Sequence, residues 1–231
     1  CLHSQLSTLT LNHVPHIPTN FICNFTYNGT MNYLAHLFLA QPTADSHYGN
    51  LLGDFRKGVA LATLSNGVSK GLENHYTVDK FTDSHASVKQ AKALFKPEHR
   101  RFAPVAIDML FDHLLITHWT RFSTIPFEAF CEQSFSLLEK KLPVMPTTMQ
   151  RSVSHMITHN WFADYAEFEG IGFAIQAVAK RIRFKNDFAQ CVQDIEANFT
   201  LLNSLFLGFF PALIEHVQQH GPERGTPSGL I

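Results

Sequence analysis

Between Glu73 and His85 the chain reads ENHYTVDKFTDSH, and His75, Asp79 and Asp83 recur there at every fourth residue. On a helix that spacing sets side chains on one face, about 40° apart per step, so an imidazole and two carboxylates form a ridge. A second set lies in DMLFDHLLITHW, Asp108 to Trp119. Asp108 and Asp112 are four apart, His113 adjoins Asp112, and His118 follows within two turns, all among Met109, Leu110, Phe111, Leu114 and Leu115. His36 sits inside NYLAHLFLA, and Asp54 follows an apolar pair in GNLLGDF, Gly49 to Phe55. Each group has a plain reading when taken alone: a hydrogen-bonded core histidine, a helix cap, carboxylates paired with Lys80 or a neighbouring helix. Taken together, several buried carboxylates and imidazoles need mutual compensation, because each unpaired buried charge costs roughly several kcal/mol. A divalent cation supplies it. Oxygen and imidazole donors without cysteine suit Mn, Mg, Fe or Zn, and no CxxC or HExxH spacing marks a structural or peptidase zinc site. Such an ion activates water and neutralises phosphoryl oxygens.

The elements that must position these groups are helices. Apolar residues repeat at three and four in Leu34, Leu37, Phe38, in Val88, Ala91, Leu94, Phe95, in Phe127, Phe130, Leu137, Leu138, and in Ile171, Ile175, Val178, Ile182. No run of alternating β-branched residues competes. Breaks at Gln41-Pro42, Lys96-Pro97, Ala103-Pro104, Ile125-Pro126, Pro143 to Pro146, Gly170 and Asn186-Asp187 divide the chain into seven or eight helices. The expectation is one all-α domain over residues 31–220, preceded by an irregular extension at 1–30 and followed by a flexible Gly- and Pro-rich tail at 221–231. The extension carries NxS/T sequons at Asn24 and Asn28, and strong patterning begins at Met31.

The 231 residues carry a net charge of −1, which offers no general attraction for nucleic acid or an acidic membrane, so a charged partner must meet a local patch. Four scattered cysteines, Cys1, Cys23, Cys131 and Cys191, read as free thiols of a reducing interior, hence a cytoplasmic location. The most apolar run, Leu201 to Ile214, is broken by Asn203, Ser204 and Pro211 and reads as a buried terminal helix rather than a membrane span.

NYLAHLFLA, GNLLGDF, HYTVDKFTD and APVAIDMLFDHLLITHW, in that order, with NWFADYAEFEGIGFAIQAVAKRIR from Asn160 to Arg183, resemble the acyl carrier protein phosphodiesterases over about residues 31–220. The resemblance implies an HD-domain-like, metal-dependent phosphohydrolase with Mn2+ favoured and Mg2+ or Fe2+ possible. It implies release of 4'-phosphopantetheine from the serine of holo-acyl carrier protein, the protein partner. The matching polar positions are His36, Asn50, Asp54, His75, Asp79, Asp83, Asp112 and His113. The family pattern usually has a basic residue directly after the histidine of its third motif, where this chain has Tyr76.

From this resemblance His75, Asp79, Asp112 and His113 are expected as core metal ligands, with His36 and Asp54 as further ligands or their orienters. Asn50, Asp83 and Asp108 are expected to orient ligands. Asp79 and His113 carry catalytic roles with the metal, and a protonated histidine, His118 being a candidate, would assist departure of the serine oxygen. Adjacent Asp112 and His113 diverge by about 100° on a helix, so they share an ion only if it lies between them. An acidic carrier protein needs a basic docking face, for which Lys96, His99, Arg100, Arg101 and Lys180, Arg181, Arg183, Lys185 are available, each set also readable as a solvated helix face. Trp119 and Trp161 read as core. Two alternatives are a phosphohydrolase of a nucleotide such as guanosine tetraphosphate and a carrier-binding module without catalysis.

Overall fold

The computed structural model describes residues 33–230, and the expectations for the N-terminal extension, Met31, the sequons, Cys1 and Cys23 fall outside them. Eleven α-helices and no strand occur among the described residues: α1 (Tyr33–Leu39), α2 (Ala44–Leu52), α3 (Asn66–Ser84), α4 (Ala86–Ala93), α5 (Ala103–Thr117), α6 (Trp119–Phe122), α7 (Phe127–Glu139), α8 (Thr147–His159), α9 (Trp161–Asp164), α10 (Phe168–Arg181) and α11 (Cys191–His220). The all-α class is as expected, while the helix number exceeds seven or eight because several breaks carry no proline or glycine. His85 ends α3 and caps α4, its Nδ1 accepting the Ser87 N–H. His118 separates α5 from the single turn α6. Asn160 takes a left-handed conformation, φ 46°, between α8 and the single turn α9. Gly170, expected as a turn or helix start, lies in the first turn of α10, where an added Cβ would collide with the Asp164 carbonyl. The remaining starts follow local chemistry: Thr43 and Ser65 accept the Ser46 and Val68 N–H groups, and Pro126 and Pro146 precede α7 and α8.

α5 occupies the centre. Every residue from Ala106 to Leu115 is buried, as a helix surrounded by α1, α4, α10 and α11 requires. Trp119 extends this core, edge-on to Phe38 and packed on Phe127 and Phe130, with its indole N–H donated to the Ile125 carbonyl. Trp161 is only half buried and donates to His155 Nδ1.

α2 lies along α3 at a backbone-to-backbone crossing. A Cβ at Gly49 would come within 2.3 Å of the Val68 carbonyl and 2.8 Å of the Gly71 Cα, so glycine is needed on both helices. α11 is long and apolar enough to cross a membrane by length and composition alone. Here Leu202, Phe206, Phe209, Phe210, Leu213 and Val217 put one of its faces into the core, while Leu201 is exposed and Leu205, Leu207 and Ile214 are only partly covered, so the expected buried terminal helix is buried along one face alone.

Two further ties shape the domain. The loop before α5 is held to α11 by His99, whose Nδ1 lies 2.5 Å from Asp194 Oδ2, both side chains being buried. His99 therefore does not belong to the basic surface proposed around Lys96. The segment 221–230 is not a free tail: the Ser228 N–H donates to the Ala40 carbonyl at 2.7 Å, Gln41 Nε2 donates to the Gly225 carbonyl, and Gly229 seats against the Phe38 ring. Cys131 and Cys191 are free, buried thiols, each pushed up to about 12 by burial first and by neighbouring carboxylates second.

Candidate metal centre

His75 projects from the middle of α3 towards the end of α2, where the last carbonyls have no partner further along the helix. Its Nδ1 lies 2.8 Å from the Asn50 carbonyl oxygen, which can only accept, so Nδ1 carries the proton. That leaves Nε2 facing Asp79 Oδ2 at 3.1 Å, one turn along the same helix. His36, from α1, brings its Nε2 to 3.3 Å from Asp79 Oδ1, outside hydrogen-bond geometry. The two imidazoles stack, with ring centroids 4.2 Å apart and 20° between planes. One donor atom from each of His36, His75 and Asp79 lies within 4.8 Å of the other two.

The electrostatics follow from burial and mutual contact. Burial, then the neighbouring His75, lowers the His36 pKa against the opposing pull of Asp79. For His75 burial works against the charge, but the hydrogen bond and charge of Asp79, with Asp54 behind them, outweigh it and raise the pKa. Burial likewise opposes ionisation of Asp79, yet the two histidines hold its carboxyl well below the usual range. Asp54, raised to about 7 chiefly by burial, senses the charges of both His75 and Asp79 and leaves its Oδ2 buried without a hydrogen-bond partner.

His36 is 0% exposed and neither ring nitrogen has a hydrogen-bond partner. A buried orphaned imidazole beside a second imidazole and a carboxylate is a donor set that fits a divalent cation with mixed nitrogen and oxygen preference. Asn50 and Asn74 support it: Asn74 Nδ2 donates to Asn50 Oδ1 at 2.9 Å, and both side chains are fully buried. Gly53 makes room, because a Cβ there would stand about 2 Å from the His75 ring. Gly53→Ala should turn His75 away from Asp79 and weaken Mn2+ binding about 10- to 100-fold, the range typical for disturbed ligand orientation, as checked by Mn2+ titration monitored by electron paramagnetic resonance.

The structure brings together His36, His75 and Asp79, with Asp54 alongside, and does not bring Asp112, His113 or His118 into that group. Asp112 turns to α1, its two oxygens accepting the Leu34 and Ala35 N–H groups at 3.3 Å each, so it fixes the helix that carries His36. Burial raises its pKa well above the carboxylate range. His113, diverging from Asp112 on the same helix, donates Nδ1–H to the Tyr165 carbonyl at 2.8 Å among Phe168 and Phe199. His118 Nε2 lies 2.6 Å from Asn203 Oδ1, with the ring stacked on Phe206. Asp83 is exposed and paired with Lys92, and Asp108 is buried with one unpartnered oxygen and a pKa raised by burial. At the position where a basic residue was expected, Tyr76 is exposed with the Arg56 guanidinium 5.8 Å from its ring centroid, so a cation returns to the rim of the site from another segment. Asn74 and Glu223 were not among the expected site residues. Asn74 directly precedes His75, whereas Glu223 lies in the segment read as a tail.

Comparison with known proteins matches residues 31–213 to the family described as acyl carrier protein phosphodiesterase. The acyl carrier protein phosphodiesterases of Serratia proteamaculans and Photorhabdus laumondii are each 33% identical over 189 residues, 81% of this chain and 98% and 96% of theirs. That of Yersinia enterocolitica is 33% identical over 191 residues, 81% of this chain and 98% of its own. No solved structure matches. With its motifs, its helices and nearly the whole length of these relatives aligned, the chain belongs to the acyl carrier protein phosphodiesterase family.

Proposed function

We infer that the chain hydrolyses the phosphodiester joining 4'-phosphopantetheine to a serine of holo-acyl carrier protein, using a divalent cation, Mn2+ foremost, held by His36, His75 and Asp79. The observation that carries the metal reading is the convergence of these three donors around a buried imidazole with no other partner. When bound, the ion supplies Lewis-acid polarisation of a phosphoryl oxygen and offsets the charge that builds there. The Asn50 carbonyl holds His75 in the tautomer that presents Nε2, and Asp79 is kept ionised by its two imidazole neighbours. Asp54, raised to about 7, exchanges a proton near neutrality and is suited to take one from the water that attacks phosphorus. Arg56, over Tyr76, is the cation at the rim suited to a phosphate oxygen.

An acidic carrier protein would dock on the basic surface. The two clusters join there: the Arg101 guanidinium lies 4.5 Å from the Phe102 ring centroid and 5.6 Å from that of Phe184, next to Arg183 and Lys185. Arg100, Lys180, Arg183 and Lys185 are exposed, while the side chain of Arg181 lies outside the described ones. The free thiols of Cys131 and Cys191 suit a reducing cytoplasm.

The test is the mass of holo-acyl carrier protein after incubation with the chain and Mn2+, with and without excess chelator. Loss of the phosphopantetheine mass only without chelator is the expected result. Full conversion in chelator would overturn the metal dependence, and an unchanged carrier with folded, Mn2+-loaded protein would overturn the substrate.

A further inference from the structure

We propose that Glu223, in the C-terminal segment beyond the family match, is a positioning residue for the metal centre: it fixes Asn50 and, through the Asn50 carbonyl, the ring of His75. The inference rests on the metal reading above for its consequence, but the chain of contacts is independent of it. Glu223 Oε2 accepts the Asn50 Nδ2–H at 3.1 Å. The same amide nitrogen donates to the Ser46 carbonyl at 3.0 Å, and Asn50 Oδ1 accepts from Asn74 at 2.9 Å. Asn50 thus has both amide protons and its oxygen engaged, as a fully buried carboxamide must to avoid desolvation loss. Its backbone carbonyl receives His75 Nδ1–H. Asn50 Nδ2 also lies 3.3 Å from Ser46 Oγ, which already accepts the Gln41 N–H at 2.8 Å. Without the carboxylate the amide falls back on that longer, shared acceptor, so the residue that aims His75 loses one of its fixed orientations.

The segment is built to hold Glu223 in place. Gly221 passes so close to Asn74 that a Cβ would meet its Oδ1 at 3.0 Å. Beyond Glu223, Gln41 Nε2 donates to the Gly225 carbonyl and the Ser228 N–H to the Ala40 carbonyl, both acceptor and donor pairs joining the strap to the α1–α2 turn. Gly225 adopts φ +122°, where a side chain would be strained, and its Cα faces the Gln41 amide. Burial raises the Glu223 pKa, with the bonds to Ser46 and Asn50 acting the other way, in line with a carboxyl drawn into the protein by these contacts. The strap therefore closes over α1, α2 and α3 together, the elements that carry His36, Asn50 and His75.

The experiment compares full-length Glu223→Ala, Glu223→Asp and Glu223→Gln with wild type. Glutamine keeps an acceptor oxygen at the same reach, whereas aspartate withdraws it by one methylene. Two readouts are taken: the slowly exchanging Nδ1–H signal of His75 in the metal-free, 15N-histidine-labelled protein, assigned with His75→Gln, and the Mn2+ dissociation constant. Glu223→Ala should lose or broaden the His75 signal and weaken Mn2+ binding about tenfold, with Glu223→Gln restoring both. If Glu223→Ala does not fold, Glu223→Asp carries the same expectation. A His75 signal as sharp in Glu223→Ala or Glu223→Asp as in wild type, or a glutamine variant as impaired as alanine, would overturn the proposal. The signal decides the matter even if wild type takes up no Mn2+, a result that would count against the metal reading alone.

Discussion

Asp79→Asn should lower Mn2+ affinity and turnover of holo-acyl carrier protein by at least about 100-fold while leaving the helical fold intact, since disturbing even the outer partners of a metal ligand costs 10- to 100-fold. Asp79 is the carboxylate that lies between both imidazoles, 3.3 Å from His36 Nε2 and 3.1 Å from His75 Nε2, and asparagine keeps its volume while removing the charge. Calorimetric titration with Mn2+ and the mass shift of the carrier protein measure the two effects. The same triad sets a pH dependence. The raised pKa of His75 means that its charged contact with Asp79 stabilises the metal-free fold below the ordinary imidazole value of 6.5 and is lost as pH rises through its folded value. The depressed pKa of Asp79 means that its share is present above the ordinary 3.8 and is lost as pH falls through a still lower value. A metal must displace the proton from His75 Nε2, so Mn2+ affinity should climb with pH through the raised His75 pKa. An Asp79→Asn protein with wild-type Mn2+ affinity and turnover would remove the triad from the mechanism.

The second large effect concerns stability. His99→Ala should destabilise the domain by about 3 kcal/mol, because it removes the shortest side-chain partner of the buried Asp194 carboxylate and leaves it the Lys96 ammonium, 4.0 Å away on a side chain that is 56% exposed. His99 is 1% and Asp194 3% exposed, and Asp194 Oδ2 also accepts the Lys96 N–H, so the carboxylate cannot turn to water without breaking the loop. For a domain of this size that loss amounts to a melting temperature lower by roughly 10 °C. Lys92→Ala is the contrast: it removes the ion pair with Asp83, whose side chain is 65% exposed, and should cost less than about 1 kcal/mol. Equal, small shifts for the two variants in urea or thermal unfolding would show that the His99–Asp194 pair is solvated.

What was legible beforehand follows the kind of signal involved. Apolar periodicity and prolines marked the starts of α5, α7 and α8, because Pro126 and Pro146 precede helices and Pro104 tolerates a first turn. The breaks at His85, His118 and Asn160 were not, since a histidine side chain or a left-handed asparagine does there what glycine or proline does elsewhere. In the site, the four-residue step from His75 to Asp79 was readable. The third ridge member was misleading, because a further 40° rotation takes Asp83 about 80° from His75 and out to Lys92. Asp112 was drawn into the ligand set by the family resemblance and by its place beside His113 in an apolar helix, whereas a carboxylate serves a helix N-terminus as readily as a metal, and nothing in its own helix tells which neighbour it faces. Glu223 was invisible because its partner Asn50 lies 173 positions away.

The crossing of α2 and α3 has a consequence for heredity. The atoms that a side chain at Gly49 would strike are the Val68 carbonyl oxygen and the Gly71 Cα, and those it would strike at Gly71 include the Ser46 carbonyl oxygen and the Gly49 Cα. All are main-chain atoms, which no substitution can shrink. A mutation at either glycine therefore has no second-site suppressor among neighbouring side chains, and the pair can only be inherited together or replaced by moving both helices and the histidine they aim.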